Sequence, residues 1–357
     1  MLNVHEGKKK KAQKSICRPT SFLRVFYILI LCFDLQIPVY AKEQIQSNPT
    51  SLKVVVSPYL SYLPFYIAQE AGYFTEQNLQ VELIKMLDPS DAMPALIKGE
   101  VHVLSFIILP GQFNAMARGA RLRIVADKGH FSSNGCTETA LMARRRLVEE
   151  GKLAHPSQLK GCRIAMIDIS SSAGYFIDKV LAQGGLTTND VEILSLPMTT
   201  RLEAFQRGVI DITLASEPWI TRMLQGGHAA IWKPAHQIIP DFQLAFLLYG
   251  PALLEKDQDA GRRFMVSYLK AVRQYRQGKT EQNLKIAGHM TGLDQELLRK
   301  TCWPTLRRDG EINTQSILGF QAWAVKRGFQ DKVVPPNQFW DPSFIEYANK
   351  ILGTANN

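Results

Sequence analysis

The chain has 357 residues, of which 46% are hydrophobic and 21% are charged. This is enough apolar sequence to bury a full core, organised as two lobes or domains, and it excludes disorder as the expected state. The formal net charge is +10, and residues 1–41 contain seven basic and two acidic residues, so half of that charge lies in this stretch. A mild positive field attracts anionic solutes. No basic run is interleaved with aromatic residues, which argues against nucleic acid as a partner.

Residues 1–41 are predicted to form a cleaved signal peptide, so we expect a periplasmic or secreted protein. Basic residues precede an apolar run at 26–33, and Val39 and Ala41 place small side chains at the cleavage-site positions. The run is much shorter than the ~20 residues that span a bilayer. An uncleaved membrane anchor is the alternative. A lipid anchor on Cys32 is disfavoured because Leu31 is large for lipoprotein processing.

Residues 52–104 predict a β-α-β-α-β unit. Short apolar runs indicate the strands, and Gly72 and Gly99 directly follow the two predicted helices as natural stops. This alternation favours a parallel sheet with helices on both faces. The predicted elements are a strand at 52–56, a helix at 65–71, a strand at 81–84, a helix at 91–98 and a strand at 101–104.

The same order returns about 110 residues later, and the two copies also share local sequence. Residues 95–103 and 204–212 are each the end of a helix, a glycine and an apolar strand. A chance likeness between two α/β segments is the alternative interpretation. A true repeat predicts two similar lobes that face each other across a cleft. The second copy has a strand at 163–167, a helix at 173–183, a strand at 191–194, a helix at 201–207 and a strand at 210–214.

Four loops are expected to line that cleft. Ligands of open α/β sheets bind beyond the carboxyl ends of the strands. The rule selects the loops that follow Val56, Leu104, Ile167 and Leu214.

The loop after Ile167 contains the serine run Ser170, Ser171 and Ser172, which leads straight into a helix. Free backbone N–H groups and the positive helix end favour an anion, and the serine hydroxyls add donors. A plain helix cap is the alternative, because serine is a preferred capping residue. We expect these serines to contact the ligand.

The loop after Leu214 contains Glu217 and Trp219. Trp219 offers a flat apolar wall, and Glu217 could accept hydrogen bonds from an amino group. In the alternative interpretation Trp219 packs under the next helix and Glu217 caps it.

The loops of the first copy supply the remaining candidates. Residues 57–66 are rich in tyrosine and proline, a combination that makes a rigid aromatic platform for a solute. We expect ligand contacts from Ser57, Tyr59 and Tyr62, with simple surface packing as the alternative. Ser105 and Phe106, which follow the strand at 101–104, are further candidates.

Catalytic signatures and a disulfide framework are both missing from the sequence. There is no G-x-S-x-G, H-E-x-x-H, phosphate-loop or dinucleotide pattern, and no cysteines have metal-ligand spacing. Beyond the leader, an odd and sparse set of cysteines remains, so buried free thiols are favoured over a single bridge. These cysteines are Cys136, Cys162 and Cys302.

Several segments together resemble the periplasmic substrate-binding proteins of ABC importers of the nitrate/sulfonate/taurine type. That family shares an SsuA/THI5-like, NMT1-like domain with thiamine-pyrimidine synthesis proteins. His102 and Phe106 depart from many relatives, which carry an acid or small residues there, so the resemblance assigns no substrate. The resemblance rests on the order and spacing of residues 65–74, 159–165, 170–176, 208–211 and 217–219.

The resemblance implies a type II periplasmic-binding-protein-like α/β fold with a ligand cleft between lobes. It places lobe 1 at 52–140 plus 243–357 and lobe 2 at 141–242. It also implies an ABC permease in the inner membrane as partner, and we expect a monomer without cofactor or metal.

A small organic anion is the first expected ligand because of the serine run, and a thiamine-precursor-like pyrimidine is the second. Two other classes compete with a transport protein. One is a pyrimidine-synthesis enzyme with an internal histidine and a lysine-bound cofactor, and the other is a sensor whose cleft has lost its ligand.

Overall fold

The computed structural model describes residues 48–132 and 136–353. The signal peptide predicted for residues 1–41 lies outside the described residues. The strands are β1 Thr50–Val56, β2 Leu79–Lys85, β3 Val103–Ile107, β4 Arg123–His130, β5 Thr139–Arg144, β6 Arg163–Met166, β7 Glu192–Ser195, β8 Ile212–Ser216, β9 Ala229–Pro234 and β10 Gln243–Tyr249.

The α-helices range from single turns to five turns. No helix in the described part of the chain is long and apolar enough to cross a membrane. The helices are α1 Leu63–Glu70, α2 Tyr73–Glu76, α3 Met93–Lys98, α4 Pro110–Ala117, α5 Arg145–Glu149, α6 Ser172–Gln183, α7 Met198–Gln206, α8 Trp219–Gln225, α9 Ala235–Ile238, α10 Gln258–Tyr275, α11 Glu281–Thr291, α12 Gln295–Lys300, α13 Thr314–Lys326, α14 Pro336–Phe339 and α15 Ser343–Leu352.

The described strands form two five-stranded sheets of matching topology. Their orders are β2-β1-β3-β10-β4 and β7-β6-β8-β5-β9. In the first sheet β1 pairs in parallel with β2 and β3, and in the second β6 pairs in parallel with β7 and β8. The repeated β-α-β-α-β unit therefore builds the same parallel half-sheet twice, and the predicted α/β class is confirmed.

Each sheet is completed by an antiparallel strand from a different part of the chain. Strand β10 lies between β3 and β4, and β5 lies between β8 and β9. The chain crosses between the sheets twice, through 131–138 and 235–242. Thr139 and Ala140 pair with β8 in the second sheet, although the predicted lobe boundary assigned them to lobe 1. The boundaries themselves stay a prediction.

Local chemistry explains where observed elements depart from their predicted bounds. The helix predicted at 65–71 begins two residues earlier, because Pro64 fits the first helical turn, where no N–H is needed. The strand predicted at 101–104 begins at Val103. Gly99 ends α3 with φ +79°, and the N–H groups of Glu100 and Val101 return to the Ala95 carbonyl, so the chain is still turning there.

An aromatic cluster joins the two sheets at the crossings. Phe176 of α6 lies 5.2 Å from Phe242 and 5.5 Å from Phe131, measured between ring centroids, and all three rings are buried. Tyr175 extends the cluster to Phe320 of α13 at 5.7 Å. The start of α6 is thus packed against both crossings and the C-terminal part of the chain.

The C-terminal helices return to the first sheet, as the resemblance implies. Tyr268 of α10 packs on Phe65 of α1 with ring centroids 5.3 Å apart. Both rings are fully buried.

The expectation of free thiols is wrong for two of the three cysteines. Cys136 and Cys302 form a disulfide with their Cα atoms 5.7 Å apart, and Cys162 is free and half-buried. The bonded residues are 166 positions apart in sequence. Their proximity arises because the segment after α12 returns to the first crossing, and no local spacing pattern signals such a contact.

Replacing Cys136 and Cys302 together by serine is expected to lower the free energy of unfolding by about 2–5 kcal/mol, because the long closed loop no longer restricts the unfolded chain. Urea denaturation of the variant and of the parent with and without reductant measures this loss. Cys162→Ser is the matched control and should leave the midpoint unchanged. Equal midpoints for the parent and the double variant would contradict the disulfide.

Candidate ligand-binding site

A cavity of about 220 Å³ lies where the carboxyl ends of the two sheets face each other. Loops from both sheets and the first crossing contribute to its wall. The Leu60 N–H donates to the Glu217 carbonyl at 3.1 Å, so the two halves touch across the cavity. Its polar and aromatic lining includes Tyr59, Tyr62, Phe106, Lys128, Glu138, Thr139, Asp168, Ser171, Ser172, Arg201, Ser216 and Glu217.

The serine run divides into three roles. Ser171 is the N-cap of α6, with its Oγ accepting from the Ala173 N–H at 3.2 Å, and it also lines the cavity. Ser170 does not line the cavity, because its N–H and hydroxyl both bond the Asp168 carboxylate. Ser172 lines the cavity and is 1% exposed, and its hydroxyl has no hydrogen-bond partner among the described residues. Ser172 is therefore the serine of the run whose hydroxyl is not used within the described chain.

Close backbone packing fixes the start of α6. A Cβ built on Gly174 would lie 1.8 Å from the Ile169 carbonyl oxygen. Only glycine allows the helix to begin directly over the preceding loop, which carries Ser171 and Ser172 into the cavity.

Glu217 combines the two roles that the sequence left open. Its carboxyl oxygens accept from the N–H and hydroxyl of Thr221, both at 3.0 Å, so it caps the start of α8 while lining the cavity. Burial raises the pKa of Glu217 to about 7, and the hydrogen bonds from Thr221 oppose the rise. Trp219 does not line the cavity. It packs in the core of the second sheet, so the prediction that it forms a cavity wall is not met.

All three aromatic candidates of the first sheet line the cavity. Tyr59 and Tyr62 both line it, and the Tyr62 hydroxyl donates to the Ser105 carbonyl. Phe106 lines it as well. Burial raises the pKa of Tyr59, so its phenol stays a neutral donor at physiological pH.

The remaining two first-sheet candidates lie behind the cavity wall. The Ser57 hydroxyl donates to the Leu87 carbonyl at 3.3 Å, and that of Ser105 donates to the Phe246 carbonyl at 3.0 Å. Both serines are buried and outside the lining. Strand alternation explains this for Ser105, because successive residues point to opposite faces and Phe106 is the one that faces the cavity.

Arg201 is a buried cation in the lining that sequence reasoning missed. It is 3% exposed, and no acidic side chain among the described residues forms an ion pair with it. Its Nε donates one hydrogen bond, Nη1 two and Nη2 one, which accounts for four of five N–H donors. Burial lowers the pKa of Arg201 to about 10, so the guanidinium stays charged at neutral pH.

Lys128 is a second missed cation. Its Nζ lies 3.5 Å from the centroid of the Tyr62 ring, a cation–π contact at the cavity wall. Burial lowers the pKa of Lys128 to about 7, and the neighbouring Asp127 carboxylate opposes the fall. Lys128 lies on β4, an antiparallel edge strand, so the rule based on parallel strand ends did not select it.

Glu138 is a missed acid in the first crossing. It lines the cavity, and burial raises its pKa to about 8, opposed by hydrogen bonds from Thr305. The sequence offered no signal for Glu138 because it precedes β5 in a crossing segment.

Exposed apolar residues form the outer part of the lining. Leu87 and Ile107 come from the first sheet and Ile167 from the second, with exposures of 65%, 38% and 50%. The cavity therefore has a polar inner end and an apolar rim. No cluster of three His, Cys, Asp or Glu within residues 48–132 and 136–353 is arranged to hold a metal ion.

A family model described as NMT1/THI5 like matches residues 60–277, more than half of the chain. The chain belongs to the NMT1/THI5-like family. Among curated proteins, this NMT1/THI5-like chain is 26% identical over 171 residues to a Haemophilus influenzae protein named for thiamine biosynthesis. It is 27% identical over 161 residues to 4-amino-5-hydroxymethyl-2-methylpyrimidine phosphate synthase of Aspergillus parasiticus. The alignments cover 48% and 45% of this chain and 49% and 43% of the relatives, so the chain spans about half the length of the curated relatives it matches.

Solved structures resemble almost the whole described chain. The ligand-binding component of an ABC-type import system from Staphylococcus aureus has a TM-score of 0.69 and 16% identity, covering 84% of this chain and 99% of that one. The periplasmic aliphatic sulphonate binding protein SsuA of Escherichia coli has a TM-score of 0.65 and 18% identity, and the match covers 82% of this chain and 93% of that one. The desulfurization enzyme DSZB has a TM-score of 0.60 and 12% identity, and the match covers 85% of this chain and 100% of that one. These matches confirm the periplasmic-binding-protein-like fold of this NMT1/THI5-like chain, and the fold is shared by binding proteins and an enzyme.

Gly174→Ala is expected to lower the melting temperature, because the added Cβ overlaps the Ile169 carbonyl and forces the start of α6 to shift, which costs about 1–3 kcal/mol. Gly111→Ala in α4 is the matched control. A Cβ at Gly111 meets nothing within 4 Å, so stability should stay equal or rise slightly. Differential scanning calorimetry compares the two, and equal melting temperatures would contradict the packing of α6.

Proposed function

We propose that this chain is the solute-binding component of an ABC importer and captures a small organic anion in the cavity. The observation that carries the proposal is the Arg201 guanidinium, which is buried at the cavity without an acidic partner among the described residues, in a lining that also contains Ser172 with its unpaired hydroxyl. A buried charge without a counter-ion is unfavourable. An anionic ligand offsets that cost and accepts the remaining Arg201 N–H and the Ser172 hydroxyl.

The start of α6 adds to the attraction for an anion. This helix has 12 residues, and its first turn faces the cavity. The N–H groups of a first helical turn and the helix dipole favour negative charge. Lys128 supplies a second cation, and a bound anion would raise its pKa and keep it protonated.

The rest of the lining suits the apolar part of the ligand. Tyr59, Tyr62 and Phe106 provide aromatic surface beyond the polar end. The volume of about 220 Å³ lies below the ~300 Å³ at which drug-sized pockets begin. A sulfonate or carboxylate with a short aliphatic or aromatic substituent fits a cavity that has a polar end and an aromatic wall.

Delivery to a permease in the inner membrane completes the proposal. Closure of two lobes on a ligand changes the outer shape of a binding protein, which a permease can recognise. Export through the predicted leader would place the protein in the periplasm or outside the cell, and we propose a monomer that carries out no chemistry itself.

An aminopyrimidine ligand is the second candidate, favoured by the Glu217 and Glu138 carboxyl groups beside Tyr59 and Tyr62. The curated relatives named for thiamine biosynthesis and for a pyrimidine phosphate synthase point the same way. A pyrimidine-synthesising activity would further need a cofactor on a lysine such as Lys128.

Calorimetric titration with ethanesulfonate, benzenesulfonate, benzoate and 4-amino-5-hydroxymethyl-2-methylpyrimidine separates these ligand classes. Binding heat is expected with at least one of the anions, and Ser172→Ala should weaken that binding about tenfold by removing a hydrogen bond to a charged group. Because the hydroxyl has no partner within the described chain, this variant should keep its stability.

Ser170→Ala is the matched control, because Ser170 lies outside the lining and should leave affinity unchanged. Heat with the aminopyrimidine alone would replace the anion proposal by the second candidate.

A further inference from the structure

Glu138 lies where the two halves of the chain meet. It is the last residue of the first crossing before β5, it is 8% exposed, and it lines the cavity. Its backbone carbonyl accepts from the Glu217 N–H at 3.0 Å. A ligand that enters from the apolar rim would meet Glu138 at the inner polar end.

The Glu138 carboxyl has donors but no ion-pair partner. Its Oε2 accepts from the Thr305 N–H. No lysine, arginine or histidine in the described part of the chain forms a salt bridge with it. Burial disfavours the charged carboxylate, and the nearby Asp127 carboxylate disfavours it further.

A strap formed by residues 301–307 holds this carboxyl in place. The disulfide joins Cys302 of the strap to Cys136, two residues before Glu138. Hydrogen bonds fix the strap on its other side. They run from the Tyr275 hydroxyl to the Pro304 carbonyl at 2.5 Å, from the Arg307 N–H to Asp127 Oδ2 at 2.7 Å, and from the His130 N–H to the Thr305 carbonyl at 3.3 Å.

We infer that Glu138 is a specificity-determining residue that remains a neutral carboxylic acid in the cavity and donates a hydrogen bond to an oxygen atom of the bound ligand. The inference rests on the proposed anion-binding function and adds a requirement to it. The ligand must present a hydrogen-bond acceptor to the neutral Glu138 carboxyl, and an oxygen of an oxyanion meets that requirement. Thr305 and the disulfide act as positioning elements.

The charge of the ligand strengthens this arrangement. A bound anion places negative charge near Glu138, which raises its pKa above the value of about 8 in the free protein and keeps the proton in place. A cationic amine would have the opposite effect and would draw the carboxyl into its ionised form.

The resulting pH dependence has a definite sign. Anion binding favours protonated Glu138, so the contribution of Glu138 to affinity is present below pH 8 and is lost as the pH rises above it, by up to about tenfold per pH unit. Lys128 and Glu217 add to this pH dependence, because each has a pKa of about 7 and each favours an anion when it is protonated. Deprotonation of either group therefore also lowers the affinity for an anion as the pH rises. The titratable groups close to Glu138 include Asp127, Glu217 and Tyr275, and the cavity lining also contains Tyr59, Tyr62, Asp88, Lys128, Asp168 and Arg201.

Glu138→Gln separates the Glu138 contribution from the others, because the amide donates a hydrogen bond and cannot ionise. Calorimetric titration with benzenesulfonate, which stays ionised throughout, is carried out at pH 7 and at steps between pH 8 and 9.5. The variant should bind within a few-fold of the parent at pH 7 and should lose less affinity than the parent as the pH rises, by about tenfold at pH 9.5. Glu311→Gln is the control, a glutamate outside the cavity lining that should leave the pH profile unchanged.

An infrared difference spectrum between the parent and Glu138→Gln tests the inference without any ligand. At pH 7 the parent should show the carbonyl stretch of a protonated carboxylic acid that the variant lacks, and the band should disappear at high pH. A carboxylate band at pH 7 would overturn the inference whether or not a ligand is known, and so would a parallel loss of affinity above pH 8 in parent and variant. An anion panel that fails to bind the parent at any pH overturns the proposed function instead.

Discussion

The exchange of one strand between the two halves of the chain is the constraint on which the site depends. Strand β10 completes the first sheet and β5 completes the second, so the chain must cross between the sheets twice. The crossings hold the carboxyl ends of both parallel half-sheets face to face. The aromatic cluster of Phe131, Phe176 and Phe242 buries the junction. With this geometry fixed, loops that are far apart in sequence become the walls of one cavity.

Burial of charge decides the chemistry of that cavity. Arg201 keeps its charge, whereas burial shifts the pKa values of Lys128, Glu138 and Glu217 toward neutral pH. The protein thereby avoids a set of fixed buried charges and leaves one guanidinium that a ligand can neutralise. Family membership alone does not choose the ligand, because curated relatives and solved neighbours are named for different substrates. The proposal of an anionic ligand rests on the electrostatics of this lining.

The sequence predicted what depends on local patterns and missed what depends on long-range contacts. The repeated β-α-β-α-β unit and the strand-end rule selected loops that line the cavity, and Tyr59, Ser171 and Ser172 lie there. The rule selects a loop but does not say which of its side chains face the cavity. Ser105 and Trp219 were selected in this way and lie behind the cavity wall. Lys128, Glu138 and the Cys136–Cys302 disulfide come from an edge strand, a crossing and the returning C-terminal segment. Tertiary packing sets those positions, and it leaves no repeating pattern in the sequence from which they could be predicted.

The central claim is that Ser172 and Arg201 together hold an anionic group of the ligand. A crystal structure of the protein with bound benzenesulfonate tests it most directly. We expect a sulfonate oxygen within about 3 Å of Ser172 Oγ and another within about 3 Å of Arg201 Nη2, with the ring toward Tyr59 and Phe106. A sulfonate bound outside the cavity, or inside it with Ser172 and Arg201 untouched, would contradict the account.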